Sequence, residues 1–355
     1  MNPILSNNYY VNFQKDAYTK LNGIISSKKP SKIFILVDEN TNEHCLPILL
    51  LNLETTSKIE IIEVEAGEEN KNLDTCTGVW GALTDLGADR KSLMINLGGG
   101  VITDLGGFVA SCFKRGIDFI NIPTTLLSMV DASVGGKTGV DLGVLKNQIG
   151  LFSDPEMVLI DPLYLETVTE RELRSGLAEI IKYGLTYDIK LWGEVIEFKS
   201  LSIKNLSSLV HRSIEIKNEV VTEDPKESGL RKVLNYGHTL GHAIESYFLD
   251  TEHKKKLTHG EAIIVGMITE TYLSEKLLNF PSEKTKLIKD ELLKIYPKID
   301  LQEEDYPAIL ELLIHDKKNV GGQVNFVLLT DYEKFKLDCK VEKELLIEAL
   351  DYYCS

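Results

Sequence analysis

Between residues 32 and 161 short β-branched runs alternate with segments of helical period, and after Pro162 the strand signals nearly vanish. The runs at 32–37, 58–64, 92–97, 118–123 and 157–161 are short and rich in Ile and Val, as strands are, and apolar or mixed helical segments separate them. Strands joined through helices lie parallel, so the alternation predicts a mainly parallel sheet with helices on its faces. Helical periodicity then covers 170–186, 203–222, 230–249, 259–278, 283–294 and 303–316. One late hairpin pairs 323–329 with 334–337, and a final helix runs over 342–353. With 355 residues the chain exceeds one ordinary core. The expected division is a Rossmann-like α/β domain at 1–168 followed by a mostly α-helical domain at 169–355.

Composition narrows the function classes. A net charge of −15 argues against a general binder of nucleic acid or of anionic membranes. Any anionic substrate then needs positive charge gathered locally in a pocket. The five cysteines are scattered without a CxxC pair, which reads as reduced thiols of a cytoplasmic protein. Residues 1–13 lack the basic start and apolar core of a signal peptide, and the apolar stretch at 94–113 is broken by Asp104 and several glycines, so no membrane span is expected. The basic run at 252–256 reads as a solvated loop.

The stretch LNYGHTLGHA (234–243) carries the sharpest chemical signal. On a helix over 230–249, His238 and His242 project from one face a turn apart, with Asn235 and Arg231 behind them and Glu245 ahead. Two histidines at this spacing are often plain polar surface. Here three of the chain's seven histidines, counting His259, fall close together. A carboxylate from Glu179, an imidazole from this helix and another from His259 give a three-ligand set with a coordination position left open, as a catalytic metal requires.

Gly98, Gly99 and Gly100 follow a strand and open a helix, an arrangement that lets backbone N–H groups approach a pyrophosphate. The dinucleotide fingerprint is only partly met, because Thr103 occupies its third glycine position. Asp38, at a strand end, is placed to hold a ribose, and Glu68 and Lys71 to hold another part of the same ligand. Lys137 follows two glycines, but the spacing of a phosphate-binding P-loop fails. Lys137 and Lys146, with Arg115, Lys182, Lys217 and Arg231, read together as an anion-binding set.

The strings GGGVI (98–102), PTTLL (123–127), VDASVGGKT (130–138), GLAEIIKYG (176–184), NYGHTLGHA (235–243) and HGE (259–261), in this order, resemble the 3-dehydroquinate synthase family. Arg115-Gly116, Lys146-Asn147 and HDKKN (315–319) match as well. The resemblance implies conversion of 3-deoxy-D-arabino-heptulosonate 7-phosphate to 3-dehydroquinate and phosphate, with NAD and zinc (cobalt as a substitute). It implies zinc ligation by Glu179, His238 and His259, with His242 facing the substrate. Lys137, Lys146, Lys182, Lys217, Arg231 and Arg115 are the matching cations, Arg115 reaching in from the neighbouring subunit of a homodimer. Asn147 and Asn235 hydrogen-bond hydroxyls, Asp131 and Glu227 orient these groups, and Lys317 or Lys318 completes the phosphate end. Asp38, Glu68, Lys71, Gly99, Gly100, Val101, Asp104, Thr124, Thr125, Lys137 and Lys146 are the cofactor positions. The chain departs from the family at Thr103 and in a longer connection from His242 to His259. Another sugar phosphate cyclase, a metal-dependent polyol dehydrogenase and a non-catalytic relic remain as alternatives.

Overall fold

The computed structural model describes residues 1–143, 145–197, 202–314 and 324–355. The chain divides into two compact units, Met1–Thr169 with Ser202–Thr222, and Glu170–Leu201 with Glu223–Ser355. The segment 202–222 thus groups with the first unit, although it lies beyond the single division read from the sequence. Helical period does not reveal which unit a helix packs on.

Among the described residues, the first unit holds strands β1 (Ile4–Ser6), β2 (Tyr9–Phe13), β3 (Lys32–Asp38), β4 (Lys58–Val64), β5 (Leu93–Gly98) and β6 (Asp118–Pro123), a hairpin of β7 (Lys137–Leu142) and β8 (Leu145–Phe152), and β9 (Met157–Ile160). Its sheet runs β1-β2-β9-β6-β5-β3-β4. Only the β1–β2 pair is antiparallel. Strands β5 and β9 are buried at every position, as expected of parallel strands covered on both faces. The edge strand β4 instead carries exposed Lys58 and Glu63, which blunt an open edge.

Helices α1 (Gln14–Lys28), α2 (Glu39–His44), α3 (Leu46–Asn52), α4 (Leu73–Asp85) and α5 (Gly100–Cys112) connect these strands. Strand β3 lies between β4 and β5, so the chain leaves β3 to one side and returns to the other. The carboxyl ends of strands at such a reversal form the natural ligand crevice of an open α/β sheet. Asp38 ends β3 and Gly98 ends β5.

Two strand pairs escape the sequence reading. The polar, tyrosine-rich segment 1–13 forms β1 and β2, and β2 runs parallel to β9. The β7–β8 hairpin holds Lys137, Lys146 and Asn147. Its strands cross at Gly139 and Gly150, where an added Cβ would lie 2.6 Å from the Ile149 carbonyl oxygen and 2.4 Å from that of Thr138. Glycines needed for close approach are weak strand formers, so propensity hides the hairpin.

The second unit contains α6 (Glu170–Thr186) and α7 (Ile189–Ile196). After α8 (Ile203–Glu223), most of which belongs to the first unit, come α9 (His238–Asp250), α10 (His259–Leu278), α11 (Ser282–Ile295), α12 (Tyr306–Ile314), the β10 (Phe326–Asp331) and β11 (Lys334–Cys339) hairpin, and α13 (Lys343–Cys354). Helix α10 is apolar nearly all round because α6, α9, α11, α13 and β10 surround it. The run 252–256 is an exposed loop as expected, except that the Lys254 side chain is only 6% exposed and its ammonium lies 2.8 Å from the Asp305 carboxylate.

Candidate metal centre and cofactor turn

The second unit brings Glu179, His238, His242 and His259 together. Glu179 lies on the buried face of α6 with no exposure, and Lys182, one turn on, is 1% exposed and pairs with it. A buried carboxylate is tolerable only when compensated. Burial alone would raise the Glu179 pKa, but the Lys182 ammonium and the His238 imidazole hold it well below the ordinary range. Its Oε1 lies 3.3 Å from His238 Nε2 and 3.4 Å from His259 Nε2.

The far side of each ring is also occupied. His238 Nδ1 sits 3.1 Å from the Tyr236 carbonyl oxygen, and His259 Nδ1 sits 3.2 Å from Glu245 Oε2. Protons at both Nδ1 atoms leave the Nε2 lone pairs facing a carboxylate oxygen, so a positive centre has to lie between them. In the metal-free protein that is a proton: burial lowers the His259 pKa, yet the Glu245 and Glu179 carboxylates outweigh it and lift it to about 9. A divalent cation fits the same lone pairs. One ring nitrogen from each of His238, His242 and His259 lies within 4.8 Å of the others, so His242 belongs to the same cluster.

The expected helical ridge from Arg231 to Glu245 is interrupted. Leu230–Asn235 is a tight 3₁₀ turn, and α9 starts only at His238. Gly237 breaks the run with φ 79°, a left-handed conformation that favours glycine. Arg231 and Asn235 therefore belong to a separate loop. The Asp224 carboxylate accepts from the backbone N–H groups of Ser228, Gly229 and Arg231 at 3.0, 2.6 and 3.1 Å. The loop so formed buries Arg231, whose Nη1 donates to the Pro225 carbonyl at 2.8 Å. Asn235 Nδ2 donates to Glu227 Oε1 at 2.6 Å.

In the first unit Gly99 caps α5 without a side-chain hydrogen bond, and Gly100 and Val101 open the first turn. An added Cβ at Gly98 would lie 2.6 Å from Ile102, so the turn tolerates only glycine there. Thr124 donates its N–H to Gly98 O at 3.0 Å, and Thr125 lies against Gly99. Thr103 is buried, its hydroxyl donating to the carbonyls of Gly99 and Gly100. These open N–H groups at a helix start suit a phosphate.

Beside this turn Lys71 is 4% exposed, and its ammonium lies 2.6 Å from Asp104 Oδ2 and 2.7 Å from Asn147 Oδ1. Burial lowers its pKa, but Asp104, Glu68 and Asp141 raise it further, so it stays charged. Lys146 pairs with Glu68 at 2.9 Å, and Asn147 N–H donates to Asp141 Oδ1 at 2.6 Å. Asp131 sits in a π-turn over Ser128–Ala132 and binds Lys217 Nζ at 2.8 Å. Such turns are frequent at functional sites.

Three expected residues stand outside these clusters. The Asp38 carboxylate caps α2, accepting from Thr41 N–H at 2.8 Å. Arg115 is exposed in a turn where Lys114, Arg115 and Gly116 have φ of 50°, 71° and 109°. Lys137 is exposed at the start of β7. Lys317 and Lys318 lie outside the described residues.

Two residues absent from the sequence-derived set are structurally prominent. Asp224 shapes the Arg231 loop, and Glu245 orients His259; the only available sign of the latter was its place on the His238–His242 face. The Glu245→Gln variant should bind zinc about 10–100-fold more weakly, as loss of a ligand-orienting carboxylate does elsewhere, measured by chelator competition. Unchanged affinity would remove Glu245 from that role.

The model of the 3-dehydroquinate synthase N-terminal region matches residues 61–175, and that of its C-terminal region matches 176–319. A 3-dehydroquinate synthase from Parabacteroides distasonis is 44% identical over 341 residues, covering 96% of each chain. Among solved structures, a 2-deoxy-scyllo-inosose synthase complexed with carbaglucose-6-phosphate, NAD+ and Co2+ is 26% identical with a TM-score of 0.84, covering 98% of each chain. A 2-epi-5-epi-valiolone synthase from Streptomyces hygroscopicus with NAD+ and Zn2+ bound has the same TM-score of 0.84 at 23% identity, covering 100% of this chain and 99% of that one, and shows the shared fold. Two adjoining family matches and close identity along nearly the whole length lead to one conclusion: the chain belongs to the 3-dehydroquinate synthase family.

Proposed function

We propose that Glu179, His238 and His259 hold a divalent metal, zinc or cobalt, in an enzyme that turns 3-deoxy-D-arabino-heptulosonate 7-phosphate into 3-dehydroquinate and phosphate. The chain is an NAD- and metal-dependent lyase of the shikimate pathway. Its reaction runs through transient oxidation, phosphate elimination, re-reduction and intramolecular aldol closure. When bound, the cation supplies Lewis acidity to substrate hydroxyls, and NAD supplies a hydride acceptor that is regenerated within the turnover.

The protein's own groups do the rest. Glu245 and the Tyr236 carbonyl fix the tautomers of His259 and His238, keeping both Nε2 lone pairs inward. Lys182 keeps Glu179 ionised. His242 faces the substrate beside these ligands. Arg231, held by Pro225 and Asp224, and Asn235, held by Glu227, are pre-set to bind carboxylate and hydroxyl groups without reorganising. Lys137, Lys146 and Lys217 supply further positive charge to an anionic substrate in a chain of net charge −15.

We assign NAD to the α/β domain, 1–168, at the Gly99–Gly100 turn with Val101, Thr124, Thr125 and Asp104 around it and with Glu68 and Lys71 beside it; Asp38 ends β3, the strand next to β5. The metal belongs to the helical unit, Glu170–Leu201 with Glu223–Ser355. The exposed left-handed turn at Arg115 suits a residue that serves the partner's site in a homodimer. No helix among the described residues is long and apolar enough to cross a membrane, and the five free cysteines fit a cytoplasmic enzyme.

The observation that carries this reading is the buried Glu179 carboxylate facing two imidazole nitrogens whose opposite sides are already engaged. The test is to mix protein, NAD, zinc and the heptulosonate phosphate, then follow inorganic phosphate, the carbocycle and absorbance of NADH. Phosphate and carbocycle without net NADH support the assignment. Accumulating NADH would point to a dehydrogenase, and turnover of an aldohexose phosphate instead to another cyclase. The Lys146→Ala variant should lose roughly 100-fold or more in kcat/KM, the scale of removing one charge-stabilising donor, while NAD affinity by calorimetry stays near wild type. Lost NAD binding would move Lys146 to the cofactor.

A further inference from the structure

Helix α9, which carries His238 and His242, begins without a side-chain cap of its own. The first turn of any helix leaves backbone N–H groups without partners, and its positive dipole end attracts negative charge. Here those donors are buried. They are met from another helix: the Glu270 carboxylate on α10 accepts from Gly237 N–H at 2.7 Å, Thr239 N–H at 3.2 Å and Leu240 N–H at 3.4 Å. Glu270 has no solvent exposure.

Three glycines permit this reach. An added Cβ at Gly266 would lie 1.8 Å from the Gly237 carbonyl oxygen, one at Gly237 2.5 Å from Met267, and one at Gly241 2.8 Å from Ile263. Backbone therefore meets backbone where α9 crosses α10. His259, Ile263, Gly266 and Glu270 recur every three or four residues and share one face of α10. The same face thus presents a metal-site imidazole at its first turn and the cap of the other histidine helix three turns later.

We propose that Glu270 is a positioning residue of the metal centre. It fixes where α9 starts, and with it the backbone of His238 at the first helical position, so that the His238 and His259 nitrogens converge on Glu179. This inference rests on the metal assignment above. Replacing the carboxylate by an amide keeps one acceptor but turns an N–H donor toward N–H donors, so the first turn of α9 must shift or fray.

The experiment measures zinc affinity by chelator competition for wild type, Glu270→Gln and Ile288→Val, with folding followed by circular dichroism. Ile288 is a fully buried core residue of α11 and serves as a stability control. Glu270→Gln is expected to bind zinc roughly 10-fold or more weakly. Its NAD affinity stays at the wild-type value, and activity recovers as zinc is raised. Ile288→Val is expected to melt earlier with zinc affinity unchanged. Wild-type zinc affinity in folded Glu270→Gln, or an equal loss in Ile288→Val, overturns the inference. Failure of the wild-type chain to bind zinc overturns the metal assignment instead. If Glu270→Gln does not fold, hydrogen exchange of the native protein decides. The amides of Gly237, Thr239 and Leu240 should then exchange as slowly as the α10 core, and fast exchange there overturns the role.

Discussion

The His259→Ala variant should lose its bound zinc and at least about 1000-fold in kcat, in line with removing a principal catalytic group, while remaining folded. The fold survives because α10 keeps its own start: Thr258 and Glu261 form a capping box on either side of His259. The variant should nonetheless melt a few degrees earlier, because the Glu179 and Glu245 carboxylates lose the imidazole between them. Elemental analysis, circular dichroism and phosphate release measure the three outcomes. His242→Ala is the informative companion. It should keep zinc and lose turnover, as the substrate-facing role proposed for His242 requires. Zinc kept by His259→Ala and lost by His242→Ala would transfer the ligand role to His242.

Gly266→Ala should be the most damaging single methyl in the helical unit. Its Cβ would sit 1.8 Å from the Gly237 carbonyl oxygen, a backbone atom that moves only if the start of α9 moves. Overpacking of this kind costs up to about 3 kcal/mol and occasionally more. A drop in Tm of about 6 °C or more is expected, together with weakened zinc binding. Gly81→Ala in α4 is the counterpart: nothing lies within 4 Å of its added Cβ, and a helical alanine should stabilise slightly. Equal melting temperatures for the two variants would contradict the close crossing of α9 and α10.

The sequence made legible whatever depends on local pattern. Short β-branched runs marked β3 to β6 and β9, and helical period marked α6 and α10 to their ends, which placed Glu179 and His259 on the right elements. Features set by distant partners stayed hidden. The interruption at Tyr236–Gly237 follows from contacts with α10 and from a positive φ that glycine permits without announcing. The β7–β8 hairpin is masked by the glycines that let its strands cross. Lys254 looks like solvated charge because Asp305 lies far along the chain. The engagement of Lys71 with Asp104 and Asn147 likewise depends on geometry that spacing does not carry, whereas Asp38 caps its helix through Thr41 three residues away, a local pattern.

The most direct test is the position of the metal. Crystals grown with zinc and NAD, measured at the zinc absorption edge, should show one strong anomalous peak in the helical unit. It should lie at about 2.0–2.2 Å from a Glu179 carboxylate oxygen and from Nε2 of both His238 and His259, with His242 outside bonding distance. A peak bonded to His242 in place of Glu179, or no peak among these residues in an active protein, would contradict the account.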